Sequence, residues 1–236
     1  METHTFAWLG MLFCLFSSVA DAEAYSGKIV IDGVVVGEGS SNVVSGNGKR
    51  SVQTRSLPCF SEITVKAGVD LVIRQGKSCE AKIDADSNLH PVIATDVRGK
   101  QLIISANRSF QSQGPVQVEV TTPRLERLEI GGSSDVTLES IRSPVLIILL
   151  SGSGEIKGQG QVDQLELLAE GSGDFDLKNL KAGDVHVKIS GAADAQVYAS
   201  RSLKVDIDGA GDVIYYGHPA RIEKNISGAG DVEASD

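Results

Sequence analysis

From residue 128 onward, apolar side chains occupy every second position in short runs, and the runs themselves recur about every nineteen residues. The recurrences align on six turn boxes: Gly132-Ser-Ser-Asp135, Gly152-Ser-Gly-Glu155, Gly171-Ser-Gly-Asp174, Gly191-Ala-Ala-Asp194, Gly209-Ala-Gly-Asp212 and Gly228-Ala-Gly-Asp231, with starts 20, 19, 20, 18 and 19 residues apart. Two residues before each first glycine stand Ile130, Leu150, Ala169, Ile189, Ile207 and Ile226. Four before it stand Leu128, Ile148, Leu167, Val187, Val205 and Lys224. Immediately after the acid come Val136, Ile156, Phe175, Ala195, Val213 and Val232. A period of two on both sides of a glycine corner means strands that turn one face inward. Repeated at a fixed interval, such strands stack like residue above like residue and pair in parallel with the coils above and below. No 3.6-residue stripe with caps competes. The pattern therefore predicts an all-β, single-stranded β-solenoid with about 19–20 residues per coil and regular coils over 128–236.

The box explains its own composition. Glycine reaches backbone conformations that a Cβ penalises and permits close approach between coils. The acid can accept hydrogen bonds from turn amides. Earlier segments alternate as well, but without the period. Phe60–Lys66, Val69–Arg74, Val92–Val97, Gln101–Ser105 and Val116–Val120 read as strands, and Arg98-Gly-Lys100 reads as a hairpin turn or a coil corner. These predict a less regular start to one solenoid spanning 57–236, preceded by a Gly-, Ser- and Asn-rich lead-in or cap over 25–56.

Composition agrees with a turn-rich β protein: 26 glycines and 5% aromatics in 236 residues. The formal charge of −9, with no Lys/Arg run, excludes a nucleic-acid partner. Phe6–Phe16 is an apolar run of eleven residues, suited to a secretory leader and too short to span a bilayer, with small-x-Ala cleavage options at Ala20, Ala22 and Ala24. The n-region carries no Lys or Arg, so a membrane-anchoring helix stays open as the alternative. Residues 1–24 are read as a signal peptide, and their removal takes away three acids and no base, leaving −6. No other segment of the mature chain is long enough to cross a membrane. The chain is expected to be exported, to the periplasm, the cell surface or the medium.

Two cysteines remain after cleavage, Cys59 and Cys79. An even pair in an exported chain suggests a disulfide. Their twenty-residue separation matches the coil period, so stacking on neighbouring coils would put their Cα atoms about 4.8 Å apart. Two buried free thiols are the alternative.

Three roles compete for the acid column Asp135, Glu155, Asp174, Asp194, Asp212 and Asp231. Each acid can serve its own turn. Oxygen ligands stacked at coil spacing suit calcium, although the box is shorter than calcium-binding nonapeptides and falls once per coil. Paired carboxylates could cleave a glycan, but that chemistry needs two acids in unlike environments, and six equivalent turn acids offer none. His90, His186 and His218 are not spaced as metal ligands, serines stand in turns without an elbow motif, and the Gly-rich strings precede strands rather than helices. No catalytic, cofactor or metal site is expected; calcium stays open as a ligand. Ile147, Leu149 and Leu168 form an outward apolar patch, expected to be covered by the lead-in or by a partner.

Several motifs together resemble the auto-transporter adhesin head (GIN) domain family of bacterial exported proteins: Phe60-x-x-Ile63-x-Val65, Val69-Asp-Leu-Val-Ile-Arg-Gln-Gly76, Gly99-Lys-Gln-Leu-Ile-Ile104 and the repeated Ser-Gly-Ser and Ala-Gly-Asp boxes. The likeness covers roughly residues 55–236. It implies a right-handed parallel β-helix outside the cytoplasm and supplies no catalytic residues; the cysteine pair is not part of the pattern. The expected function is a non-enzymatic interaction module at the cell envelope, adhesion-like and binding a glycan or a protein. The rival is a polysaccharide-active β-helix lyase or hydrolase, for which Lys188, Lys204 and Asp206 are the nearest candidates.

Overall fold

A computed structural model describes residues 28–31, 34–38 and 43–235. The leader expected over 1–24 lies outside them. Strands β1 (Lys28–Ile31) and β2 (Val34–Glu38) pair antiparallel in a unit of their own. The remainder, from Val43, is a second compact unit.

That unit contains β3 (Val44–Ser45), β4 (Arg50–Ser56), β5 (Glu62–Val65), β6 (Asp70–Gln75), β7 (Glu80–Asp86), β8 (Ile93–Arg98), β9 (Gln101–Ala106), β10 (Phe110–Gln111), β11 (Gln117–Thr122) and β12 (Arg127–Ile130). There follow β13 (Val136–Leu150), β14 (Ser153–Ala169), β15 (Ser172–Ile189), β16 (Ala192–Ile207), β17 (Val213–Tyr216), β18 (Arg221–Ile226) and β19 (Val232–Ala234). There is no helix among the described residues, and β13 to β16 each wrap most of a coil and stack in parallel register on the next. The chain is a β-solenoid, with coil steps of 18–20 residues such as Val185↔Leu203 and Leu165↔Val185.

Burial follows the period of two. Leu102, Ile63, Leu128, Ile148, Leu167, Val187 and Val205 form one continuous aliphatic ladder, each at most 1% exposed. Neighbouring ladders pair large with small. Phe175 lies between Ile156 and Ala195, and a Cβ at Gly158 would collide with Leu177, so large and small side chains interlock between coils.

The early coils depart from chain order. β5 and β6 pair on one side with β12 and the start of β13, and on the other with β9 and β11. The coil of residues 62–75 is therefore inserted between that of 101–122 and that of 127–139. The turn at 98–100 is an antiparallel hairpin, β8 on β9, with Gly99 at φ +62°. On the other flank β7 pairs antiparallel with β11, and β4 with β7. These antiparallel strands cover the edges that the first parallel coil would otherwise expose. Residues 50–56, expected within the lead-in, thus form a strand of the main sheet.

The structure joins Cys59 to Cys79, Cα atoms 5.0 Å apart, but not across stacked coils. Ser56 pairs with Glu80 at the end of the antiparallel β4–β7 ladder, Leu57 N donates to Cys79 O at 2.9 Å, and the bridge lies just beyond. The match between cysteine spacing and coil period is a coincidence of length. Closing this loop restricts the unfolded chain, so Cys59→Ser/Cys79→Ser should lower stability by about 2–3 kcal/mol. Urea unfolding checks it, together with an intact-mass shift of about 2 Da on reduction.

Candidate functional site

The six boxes form the corners. After Gly132, which sits against the Ala67 backbone, each first glycine sits against the one a coil earlier: a Cβ on Gly152, Gly171, Gly191, Gly209 or Gly228 would overlap the carbonyl oxygen of Gly132, Gly152, Gly171, Gly191 or Gly209 respectively. Those carbonyls accept the amides of the following coil, as in Ala192 N to Gly171 O at 3.0 Å and Ala210 N to Gly191 O at 2.9 Å. Close approach, rather than a positive φ, requires glycine here.

The acids after them serve their neighbours' backbones. Asp135 Oδ1 accepts Glu155 N at 2.9 Å, Asp194 Oδ1 accepts Asp212 N at 2.8 Å, and Asp212 Oδ1 accepts Asp231 N at 2.9 Å. The column has an additional member that the period concealed. Leu71 pairs with Val136, which puts Asp70 beneath Asp135, in an Ala67-Gly-Val-Asp70 box sixty-five residues earlier. Burial and the Asp135 charge push the Asp70 carboxyl up. Among the described residues, no group of three or more His, Cys, Asp or Glu is arranged to hold a metal ion.

The same face carries a different column at its other edge. Strand register aligns Arg142, Gln161, Lys181, Tyr198 and Tyr216, one per coil. Tyr198 and Tyr216 each lie four residues beyond a corner acid, Asp194 or Asp212. Along a strand that is about 13 Å. Between the two edges run Lys157, Asp176, Gln196 and Ile214. Lys181 Nζ sits 3.7 Å from the centre of the Tyr198 ring, a cation–π contact. Gln196 Oε1 accepts both Lys178 Nζ at 3.2 Å and Tyr216 Oη at 3.4 Å. Two adjoining open grooves of about 430 Å³ share Lys181 and Tyr198. A third, of about 410 Å³, follows the acids from Glu155 to Asp212.

The histidines are dispersed. His218 is exposed beside Tyr216. His90 is buried, its Nε2 2.9 Å from Ser51 Oγ, a pair not visible in the sequence because the two stand thirty-nine residues apart. Among the described residues its Nδ1 meets no carboxylate that would orient it as a catalytic base.

His186, Lys204 and Asp206 meet on the flank before the boxes. Asp206 Oδ1 accepts Asn225 Nδ2 at 2.7 Å, while Oδ2 lies 2.8 Å from His186 Nε2 and 3.5 Å from Lys204 Nζ. Asn225 first, then His186 and Lys204, hold this carboxyl below its ordinary value. So saturated a carboxylate is a poor base. A depressed pKa contributes stability above the unfolded carboxylate's pKa, and that stability is lost as pH falls through the folded one. Asp206→Asn should therefore lower stability at neutral pH, by no more than about 1 kcal/mol for so solvent-screened a carboxylate, read as a lower melting temperature. The deficit should close as the pH drops below the carboxylate range. A deficit unchanged in acid would contradict this.

Leu149 and Leu168 stack in register, between Glu129 and Lys188, and are half-buried with Ile147. Of the lead-in expected to cover them, residues 50–56 pair with β7 in the main sheet, and 25–27, 32–33 and 39–42 lie outside the described residues.

Fold and face together define a class: a parallel β-solenoid with repeated corners, shallow grooves and, among the described residues, no convergent catalytic group. The profile described as "Putative auto-transporter adhesin, head GIN domain" matches residues 59–219, and the chain belongs to this family. It is the family that the motifs indicated. Among solved structures, a putative adhesin from Bacteroides fragilis superposes with a TM-score of 0.69 at 18% identity, covering 81% of this chain and 100% of that one. A putative lipid binding protein from Parabacteroides distasonis has a TM-score of 0.51 at 18% identity, covering 82% and 99%. At such identities the likeness shows the fold alone. No curated protein matches the chain. The family is one of adhesin heads and carries no enzyme designation. No described helix is long and apolar enough to cross a membrane.

Proposed function

We propose that this chain is exported through a leader at residues 1–24 and acts at the cell envelope as an adhesion-like module, binding an extended ligand along the flank that follows the boxes. The observation that carries this is the alignment of that flank's columns, one residue per coil, maintained across bulges between Leu138 and Ile141, Lys157 and Gln159, and Leu177 and Lys181. Columns run coil after coil at a spacing of about 4.8 Å, and the grooves between them are open and shared by neighbouring coils. An enzyme converges unlike groups on one bond; here the columns set their groups side by side, one per coil. Membership of an adhesin-head family and a cysteine pair suited to an oxidising compartment support the same reading.

The test uses the leaderless, oxidised protein incubated with bacterial envelope fractions and with soluble polysaccharides. Saturable retention on envelopes, with no new reducing ends or unsaturated products, is expected. Turnover of any polysaccharide, or no retention on any fraction, would overturn it.

A further inference from the structure

Resting on the adhesive reading above, we infer that the Lys181–Tyr198–Tyr216 column is a subsite for a neutral, extended polysaccharide. Three observations lead there. Tyr198 and Tyr216 are register partners on adjacent coils, both half-exposed, so their rings repeat at one coil rise along a straight line. A β-linked pyranose ribbon advances by roughly one coil rise per sugar, whereas a helical polymer curves away from a flat face. Aromatic rings offer a sugar's axial C–H bonds an apolar platform while leaving its hydroxyls free.

The rings are held in advance. Lys181 caps a face of Tyr198, Gln196 ties Tyr216 to Lys178, and Gly217, at φ +90°, passes so close to the Ala199 carbonyl that a Cβ would overlap it and also crowd the tip of the Tyr198 ring. A site ordered before the ligand arrives loses less entropy on binding.

Charge then selects the class. Arg201 is paired with Asp184 at 2.7 Å and Lys178 with Asp176 at 3.4 Å. Lys181 shares its groove with Asp163. Two of the three groove cations are ion-paired and the third, Lys181, lies over the Tyr198 ring on a chain of net charge −9, so each is already engaged within the protein and is a weak attractor for a uronate or a sulfate. What remains are hydrogen-bonding groups of both senses, Gln161, Asn179 and Ser200 beside the charged pairs, which suit hydroxyls.

The experiment titrates the oxidised protein with soluble cello- and xylo-oligosaccharides, with oligogalacturonate of equal length, and with envelope fractions before and after protease treatment. Tyr198→Ala and Tyr216→Ala should each weaken neutral-oligosaccharide binding roughly three- to tenfold, while Tyr198→Phe and Tyr216→Phe keep most of it. Glu223→Gln, on the other flank, should leave it unchanged. Matching circular dichroism and melting curves separate lost contact from lost fold, and the Phe variants keep the test valid if an Ala variant is unstable. Neutral binding indifferent to both Ala variants, or preference for oligogalacturonate, would overturn this inference and leave the adhesive reading standing. Retention on envelopes abolished by protease, with no saccharide bound, would do the same in favour of a protein ligand. Failure to bind any fraction or saccharide would remove the adhesive reading as well.

Discussion

Gly191→Ala should destabilise the solenoid by about 4 kcal/mol, far more than one added methyl costs at an ordinary surface turn. The new Cβ would fall on Gly171 O and within contact of the Glu170 backbone. Those atoms cannot rotate away, because Gly171 O accepts Ala192 N at 3.0 Å in the ladder joining the two coils. Relief requires the coils to part at a corner where their spacing is set by backbone bonds on both sides. Gly99→Ala supplies the comparison. Nothing lies within 4 Å of its added Cβ, so the only cost is the left-handed conformation at φ +62°, about 1–2 kcal/mol. Urea unfolding of the two variants should show midpoint losses in that order with similar slopes. Equal losses would mean that the corner glycines serve conformation rather than contact.

The second large effect lies inside the coils. Phe175 is 2% exposed and belongs to the ladder that runs from Leu71 through Val136 and Ile156 to Ala195 and Val213. Ala195 is small at the position one coil on, leaving room for the ring. Phe175→Ala removes that filling between two coils held apart by their own hydrogen bonds, so the cavity cannot collapse. A loss of about 3–5 kcal/mol is expected. Phe175→Leu should cost less than half as much, since it keeps most of the volume. A small loss for the alanine variant would show that the coils close up, against the rigid stacking described above.

Where the period was regular, the chain could be read directly. From Ile130 to Ile207 the inward positions fall at a fixed distance before each glycine, because each coil repeats one strand–corner–strand unit and the parallel register preserves the phase. The early coils lacked that signal. Asp70 sits in the acid column, but the coil beneath Asp135 comes from sixty-five residues upstream, and β4, β7 and β8 pair antiparallel, which no parallel repeat can encode. The aromatic column was hidden for a different reason. Lys181 is ten residues past its box glycine, while Tyr198 and Tyr216 are seven past theirs. The register shift between Leu177 and Lys181 absorbs the difference. Such bulges change coil length without changing the stack, so an alignment on glycines separates residues that the sheet brings together. The acids drew attention because they repeat, yet repetition is what a corner needs. The less repetitive column on the same face has the character of a site.

The Gly-x-x-acid boxes build each coil corner, and their acids are expected to serve the turn rather than calcium. Melting Asp174→Asn/Asp194→Asn/Asp212→Asn against the parent protein, across ionic strength and with and without millimolar calcium, tests it most directly. At 194 and 212 asparagine keeps the oxygen that receives the next coil's amide, and at all three positions it removes the stacked like charge. The variant is predicted to melt at or above the parent in low salt, with the difference shrinking as salt screens the parent's repulsion, and calcium should shift neither. A variant that melts well below the parent, or a parent stabilised specifically by calcium, would contradict it.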